Sequence, residues 1–397
     1  MADRVADWAG LVARRYPPAD AQSWDRVGLQ VGAPDDPVTR VLVTLDVTEQ
    51  VLDEAAEVGA DLVLAHHPLL LRGVERLTPD TAPGRLALRA ARQGVAVLAA
   101  HTNHDVAARG TTEPTVEALG LREVVPLRPQ RDPDAEICKL TTFVPTDATD
   151  AVAAALSEVG AGVIGEYEQC TFRVTGTGTF KPSAQSAPAL GERETLNRVE
   201  EERLEVEVAR ADLEAAVAAL ERAHPYEEVA FDVYQLVPVG DPGPKGLGRI
   251  GVLPEPCSLR TVADTLASAL PAPHLRVAGD LERTVRTVAA CGGAGDALID
   301  DAHRAGADVY VTGDLRHHPM LDALTQGLAL VDAGHYATEA AALPEVRAAL
   351  DEDARGQGLS SGVVVSQVRT EPWASYRPPA GPAGGLAPNP ATREEPT

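Results

Sequence analysis

Histidines are the residues of this sequence whose spacing could support chemistry. Seven of the ten histidines fall in four short clusters, each shortly after a stretch predicted to be a β-strand. These seven are His66, His67, His101, His104, His317, His318 and His335. Ligand sites of open α/β sheets gather at the carboxyl ends of the strands. Imidazole and carboxylate ligands without thiolates suit Zn, Fe, Mn or Co better than Ca or Mg, so the pattern predicts a site for such divalent ions.

Two of the clusters also supply a carboxylate at helical spacing. Glu339 follows His335 by four residues, and Asp105 follows His101 by four; residues four apart share one face of a helix. Ligands from both parts of the chain indicate a pair of ions bridged by a carboxylate. Each cluster alone has an ordinary explanation: a surface or capping histidine pair, a helix pair worth about 0.3 kcal/mol, or a turn carboxylate. The coincidence of four clusters at equivalent strand ends favours the metal site.

Alternating strands and helices are expected to position these clusters. Residues 40–45 and 61–65 are short apolar runs, and residues 49–59 between them have a helical pattern closed by a glycine. The same rhythm, typical of an α/β domain, returns in the last part of the chain. Its apolar runs are residues 287–291, 309–312 and 329–332.

The two ends of the chain resemble each other. Residues 59–64 lead into His66-His67-Pro68, and residues 306–311 lead, after a short insertion, into His317-His318-Pro319. Further along each copy, an apolar strand delivers His101 or His335. We therefore predict an α/β fold class in which a duplicated α/β metal-binding domain is split by an insertion. Its halves are residues 1–132 and 241–371.

The middle of the chain, residues 133–240, has the pattern of an inserted α+β domain. Its predicted order of strand, helix, strand, strand, helix, strand is ferredoxin-like, and polar stretches that contain proline flank it. Residues 372–397 are rich in Pro, Gly and Ala, and we predict that this tail is disordered.

Composition narrows the class of protein. The chain has 397 residues, with 35 Lys and Arg against 59 Asp and Glu, for a net charge of −24. That charge disfavours a nucleic-acid partner and an anionic membrane surface. No apolar stretch is long enough to span a membrane and the start does not resemble a signal peptide, so we expect a cytoplasmic protein. The four cysteines form no CxxC pair, which argues against a thiolate zinc site.

Five segments together resemble a known family, the dinuclear-metal-centre proteins labelled GTP cyclohydrolase 1 type 2 homologues. They are residues 24–32 (WDRVGLQVG), 64–69 (LAHHPL), 100–105 (AHTNHD), 311–318 (VTGDLRHH) and 332–339 (DAGHYATE). Residues 223–231 (AHPYEEVAF) lie in a region similar to the insert of the longer members, which is shaped like small trimeric signalling proteins (PII-like or CutA-like). The sequence departs from many members at Arg26 and His104.

The resemblance implies a particular site and assembly. By it, the two divalent ions (Zn, Fe, Mn or Co) are bound by His66, His67, Asp105, His335 and Glu339, with Glu339 as the bridge, and the chain assembles with itself as a toroidal homohexamer.

Two functions are compatible with such a centre. The first is a metal-dependent hydrolase of a small phosphorylated or nucleotide-like substrate, in which His101, His104, His317 or His318 moves protons or supports the ligands. The alternative is a metal-binding regulatory or metal-handling protein without catalysis, in which the insert senses a small-molecule effector. A toroid that threads DNA is disfavoured by the net charge.

Smaller features have competing interpretations. Gly292, Gly293 and Gly295 could cradle a phosphate, although a tight turn explains them more simply. Residues 224–228 could line an effector pocket or form a turn. Asp25 could orient a metal ligand, and Asp46 is interpreted as an ordinary turn residue.

Overall fold

The computed structural model describes residues 3–74, 76–130, 136–237, 243–272 and 274–374. Most of the tail predicted at 372–397 lies outside these residues, as do parts of the linkers predicted near 132 and 240. The chain divides into two compact units. One consists of Met1–Arg128 with Gly246–Thr397, and the other is Pro129–Lys245. No helix in the described ranges is long and apolar enough to cross a membrane.

The protein has a mixed α/β fold. Its strands are β1 (Asp3–Arg4), β2 (Gly28–Val31), β3 (Pro37–Val38), β4 (Arg40–Thr44), β5 (Leu62–Ala65), β6 (Ala96–Ala99), β7 (Arg122–Pro129), β8 (Ile137–Pro145), β9 (Thr171–Phe180), β10 (Asn197–Ala209), β11 (Phe231–Gln235), β12 (Gly246–Ser258), β13 (Arg276–Ala278), β14 (Thr284–Ala294), β15 (Val309–Gly313), β16 (Ala329–Asp332) and β17 (Gly362–Val365). Its α-helices are α1 (Val5–Arg15), α2 (Glu49–Val58), α3 (Ala82–Gln93), α4 (Thr102–Asp105), α5 (Glu113–Leu119), α6 (Thr149–Glu158), α7 (Leu213–Ala223), α8 (Leu259–Ala269), α9 (Ile299–Arg304), α10 (His317–Thr325), α11 (His335–Ala340) and α12 (Leu343–Gly356).

The first unit contains two large sheets. One has the strand order β17-β4-β5-β6-β2, and the other has the order β13-β16-β15-β14-β12-β7. Strands β4, β5 and β6 are parallel, and so are β14, β15 and β16. Strands β4, β5, β6, β15 and β16 are almost continuously apolar, as expected of strands with both faces covered.

Helices cover both faces of the first sheet. Leu62 and Leu64 pack with Trp8 of α1 on one face, whereas Val63 packs with Leu52 of α2 on the other. Local signals fix the ends of α2: the Thr48 side chain accepts a hydrogen bond from the N–H of Val51 (3.2 Å), and Gly59 ends the helix in the left-handed conformation. This packing fixes the carboxyl end of β5, which His66 directly follows.

The second unit has one antiparallel sheet with the order β11-β8-β10-β9. Its chain order is β8, α6, β9, β10, α7, β11. In β10, buried Leu204 and Val206 alternate with Arg203 and Glu205, which is the period of a strand with one buried face. That buried face packs against α6 and α7, so the opposite face is left uncovered by these helices.

Candidate metal centre

The potential ligands lie at the carboxyl ends of parallel strands in the first unit. His66 and His67 follow β5, and Asp105 ends α4, the short helix after β6. His335 and Glu339 belong to α11, the helix after β16. Because they are four residues apart on that helix, both side chains reach the same point.

Two of the imidazoles are oriented by acceptors on their Nδ1 atoms. His66 Nδ1 donates to the backbone oxygen of Ala100 (3.0 Å), and His67 Nδ1 lies 2.8 Å from Oδ1 of Asp46. A carbonyl oxygen can only accept, so the proton of neutral His66 is on Nδ1 and the lone pair is on Nε2. This is the tautomer that a metal-binding histidine needs.

Two further imidazoles, those of His101 and His335, are oriented in the same way. His101 Nδ1 lies 2.9 Å from Oδ1 of Asp25, and His335 Nδ1 lies 2.8 Å from Oδ2 of Asp314. The carboxylate partners orient each ring and raise its basicity at Nε2.

The Nε2 atoms converge on the carboxylate of Glu339. Its Oε2 lies 3.1 Å from Nε2 of both His67 and His335, while its Oε1 lies 3.6 Å from Nε2 of His66. The same nitrogen of His66 is 3.6 Å from Oδ1 of Asp105. Each oxygen of Glu339 therefore faces a different group of potential ligands, which is the arrangement that a bridging carboxylate requires.

Among the residues that the structure describes, three groups of side chains are close enough to hold a cation. They are His67 with His335 and Glu339, His66 with Asp105 and Glu339, and His66 with His67 and His101; within each group the ligand atoms lie within 4.8 Å of one another. His67, His66 and Glu339 each belong to two groups.

Two buried atoms show that this donor set fits a metal. Within the described part of the chain, Nε2 of His66 and Oε2 of Glu339 are buried without a hydrogen-bond partner as long as the surrounding histidines are neutral. Burial of a polar atom without a partner costs about 1 to 3 kcal/mol. In the tautomer fixed by Asp46 and Asp314, the Nε2 atoms of His67 and His335 direct lone pairs towards the carboxylate. A cation between these atoms would satisfy all of them.

Without a cation, protons take its place. Burial lowers the pKa of His67, but its hydrogen bonds with Asp46 and Glu339 outweigh burial and raise the pKa to about 10. Burial likewise opposes the bonds of His335 with Glu339 and Asp314, which raise its pKa to about 9. Burial would raise the pKa of Glu339, yet the neighbouring histidines, His66 first, hold it well below its usual range. In the absence of a metal, the negative carboxylate of Glu339 is therefore surrounded by histidines that hold protons.

A glycine makes room for Glu339. Gly293, near the end of β14, has a φ of 67°, and a Cβ built on it would clash with Oε1 of Glu339. Its N–H donates to Oγ1 of Thr338 (2.9 Å), the residue beside Glu339. The sequence suggested a phosphate cradle or a tight turn for Gly292, Gly293 and Gly295. The structure instead gives Gly293 a specific role in the close approach of the carboxylate.

His101 and His104 lie near the centre but differ in role. His101 belongs to one of the potential ligand groups, so it could bind a cation as well as move protons. His104 is buried, with its ring centroid 5.5 Å from that of His66 and 4.7 Å from that of Tyr16. Burial and His66 lower its pKa to about 3, so His104 is neutral and poorly suited to carry a proton near pH 7.

His317 and His318 are not brought to the centre. Both are exposed at the start of α10, where their ring centroids lie 5.3 Å apart. Neither belongs to a ligand group among the described residues. The insertion noted in the sequence explains the difference: His66 directly follows β5, whereas Asp314 takes the equivalent position after β15 and the histidine pair comes three residues later. The prediction that they move protons at this site therefore loses its geometric basis.

Sequence reasoning missed two carboxylates. Asp46 is not an ordinary turn residue, because it binds His67, and Asp314 was not singled out although it binds His335. Both follow parallel strands, as do the histidines, and this position was the available signal. Asp25, which the sequence suggested could orient a ligand, binds His101.

Comparisons with known proteins identify the family of this chain. The model of the family described as Duf34/NIF3 (NGG1p interacting factor 3) matches residues 4–372. The protein named GTP cyclohydrolase 1 type 2 homolog from Mycobacterium tuberculosis is 43% identical over 377 residues, which is 94% of this chain and 97% of that protein. Its namesake from Bacillus subtilis is 43% identical over 322 residues, which is 81% of this chain and 85% of that protein.

Solved structures show the same similarity. The crystal structure of a Bacillus cereus protein related to NIF3 superposes with a TM-score of 0.66 at 38% identity. The match covers 95% of this chain and 100% of that one.

Proposed function

We propose, from the premise that this chain belongs to the Duf34/NIF3 family, that it binds two divalent metal ions and uses them to hydrolyse a small phosphorylated or nucleotide-like molecule. The ligands in this proposal are His66, His67, Asp105, His335 and Glu339. The observation that supports it best is that Nε2 of His66 and Oε2 of Glu339, both within the cluster of potential ligands, are buried without a hydrogen-bond partner when the surrounding histidines are neutral.

Residues of two groups would hold the ions. His67 and His335 share Oε2 of Glu339, and His66 and Asp105 lie near Oε1. A bound pair of this kind supplies Lewis acidity, which polarises a phosphoryl or carbonyl oxygen and activates water near neutral pH. Zn, Fe, Mn and Co all suit these ligands.

The side chains around the ligands would set the chemistry. Asp46, Asp25 and Asp314 hold three imidazoles by Nδ1 and so fix the direction of Nε2. Of the four histidines predicted to move protons, His101 is the best placed, since it lies beside His66 and His67 and is anchored by Asp25. Burial lowers the pKa of His101, so this imidazole would accept a proton from a reacting group only transiently.

The arrangement of the halves is part of the same proposal. Two features support a duplicated α/β domain that an inserted ferredoxin-like domain interrupts. Each large sheet contains three adjacent parallel strands that also follow one another along the chain, β4-β5-β6 and β14-β15-β16, and in each a histidine follows the last of these strands, His101 after β6 and His335 after β16. The two compact units support an insert close to residues 133–240. The homohexameric toroid implied by the family resemblance also belongs to this proposal, and the mass of the native protein in solution tests it.

A substrate panel tests the function. Purified protein is loaded with Zn, Mn, Fe or Co and assayed with nucleotides and simple phosphoesters, with and without a chelator. We expect turnover that the chelator abolishes and the metal restores. Tight metal binding without turnover of any member would contradict hydrolysis and favour the regulatory or metal-handling alternative.

A further inference from the structure

The second unit contains a cavity that the metal centre does not explain. Its volume is about 800 Å³, and it lies on the sheet face opposite α6 and α7. Arg203 and Val174, which are paired across β10 and β9, form part of its floor. Gly176 also lies in this floor, where an added Cβ would meet no atom within 4 Å. Cavities of this size hold small organic ligands.

A buried carboxylate faces this cavity. Glu201 is only 9% exposed, and its Oε1 accepts a hydrogen bond from the hydroxyl of Tyr226 (2.8 Å). The carboxylate lies over Gly178, where a Cβ would clash with Oε2. In the described part of the chain, no donor reaches Oε2. A carboxylate can accept about four hydrogen bonds, so Glu201 has capacity for donors from a ligand.

Aromatic rings and basic side chains also line the cavity. Phe143, Phe180 and Tyr226 line the cavity, and the ring centroids of Phe180 and Tyr226 lie 6.1 Å apart. Lys181 and Arg203 line it as well. One guanidinium nitrogen of Arg203 pairs with Oε1 of Glu205 (2.8 Å), so Lys181 and the remaining N–H groups of Arg203 are the donors for an anion. Aromatic faces favour a flat ring, and the basic groups favour an anion.

The loop that covers the cavity is held in place by a second acid. Glu227, which also lines the cavity, accepts a hydrogen bond from the N–H of Ala187 (2.8 Å) in the loop between β9 and β10. This carboxylate is therefore already engaged by the loop, so Glu201 is the better acceptor for a ligand.

We propose that this cavity binds a small heteroaromatic molecule that carries N–H donors on its ring and an anionic group. The ring lies against Phe180 and Tyr226, its N–H groups donate to Glu201, and the anionic group binds Lys181 and Arg203. This site goes beyond the proposed hydrolysis and does not depend on the metal centre.

Calorimetric titration of the full-length, chelator-treated protein tests the proposal. The ligands are GMP, AMP, UMP and CMP, together with guanosine. Guanine presents two adjacent N–H groups to a carboxylate, so we expect GMP to bind most tightly. Guanosine lacks the phosphate and is expected to bind about tenfold more weakly, because a charge-assisted contact is lost.

Two variants and two controls make the test specific. Glu201→Gln should weaken GMP binding at least about tenfold, whereas Glu221→Gln, an exposed position on α7, should not change it. Gly176→Leu fills the floor of the cavity in open space and should abolish binding while the thermal unfolding temperature is retained. The double variant His66→Ala/His67→Ala should bind GMP as the wild type does, which separates this site from the metal centre.

Several results would overturn the proposal. One is the absence of binding by all five ligands at millimolar concentration, and another is binding that neither Glu201→Gln nor Gly176→Leu affects. Loss of binding in the His66→Ala/His67→Ala variant would place the ligand at the metal centre instead. A change of native mass in Gly176→Leu, with no binding by the wild type, would indicate that another copy of the chain fills the cavity.

Discussion

Gly293 and Glu339 are in such close contact that any side chain at position 293 would displace the Glu339 carboxylate. The φ of Gly293 is 67°, and a Cβ there would clash with Oε1. The two residues belong to different elements, β14 and α11, so this contact joins a strand to the helix that carries two potential ligands. The position of the Glu339 carboxylate therefore depends on the absence of a side chain at residue 293.

Substitution of this glycine should therefore affect the metal more than the fold. Gly293→Ala is expected to weaken metal binding at least about tenfold, because Glu339 must move, and to cost about 1 to 2 kcal/mol for a left-handed non-glycine residue. Gly306→Ala is the matched control, since its φ is 76° and its Cβ would meet no atom within 4 Å. It should show the same loss of stability with unchanged metal affinity, measured by chelator competition. Equal metal affinities in the two variants would show that the contact is irrelevant.

Asp46 should matter although it is not among the ligands. Asp46→Ala removes the acceptor that holds Nδ1 of His67, and loss of such a partner typically weakens metal binding about 10- to 100-fold. The measurement is again competition with a chelator. Asp322→Asn, at an exposed position on α10, serves as the control and should have wild-type affinity. An Asp46→Ala variant that binds metal as tightly as the wild type would rule out this orienting role.

Glu339→Gln tests the bridge itself. The substitution keeps the shape of the side chain but removes the negative charge that faces His67, His335 and His66. We expect the variant to lose at least one ion per chain, as measured by elemental analysis after dialysis. Glu345→Gln, on α12, is the control and should keep the wild-type content. Full metal content in Glu339→Gln would contradict the bridging role and leave Glu339 and His335 as an ordinary helix pair.

The raised pKa values of two histidines predict how stability depends on pH. In the metal-free protein the pKa is about 10 for His67 and about 9 for His335, against about 6.5 in an unfolded chain. The folded state therefore binds more protons than the unfolded state between these values. Their contribution to stability is complete below about pH 6.5 and is lost as the pH rises through about 9 to 10.

Denaturant unfolding at pH 7 and pH 9 checks this dependence. The metal-free wild type should be less stable at pH 9, and a His67→Gln/His335→Gln variant should show a smaller change. Because metal must displace these protons, the stabilisation by added metal should increase over the same range. A metal effect that is the same at both pH values would contradict the protonation of these histidines.

The sequence predicted the parts of the centre that depend on local order. The spacing of His335 and Glu339 predicted that they share a helix face, and both belong to α11. The apolar run before His66 predicted that this residue lies at the carboxyl end of a strand, and it directly follows β5. The structure brings the five predicted ligands together, while their binding of metal stays a prediction. The confirmed family membership also followed from short motifs that the sequence contains in order.

Contacts between distant segments could not be predicted in this way. Asp46 and His67 are 21 residues apart in the sequence, and so are Asp314 and His335. A carboxylate that follows a strand has many possible partners, so the sequence alone does not show which histidine it contacts. The fit between Gly293 and Glu339 depends on how α11 packs against β14, which no local sequence pattern specifies. The structure does not bring His317 and His318 to the other histidines, because an insertion shifts them away from the strand end.

The number of divalent ions bound per chain is the most direct test of the dinuclear centre. The measurement is elemental analysis of the full-length protein after equilibration with Zn or Mn and removal of free metal, alongside the His66→Ala/His67→Ala variant, which takes one imidazole from each group that shares Glu339. The account predicts two ions per chain in the wild type and release of metal in the variant. One ion or none in the wild type, or two ions retained by the variant, would contradict it.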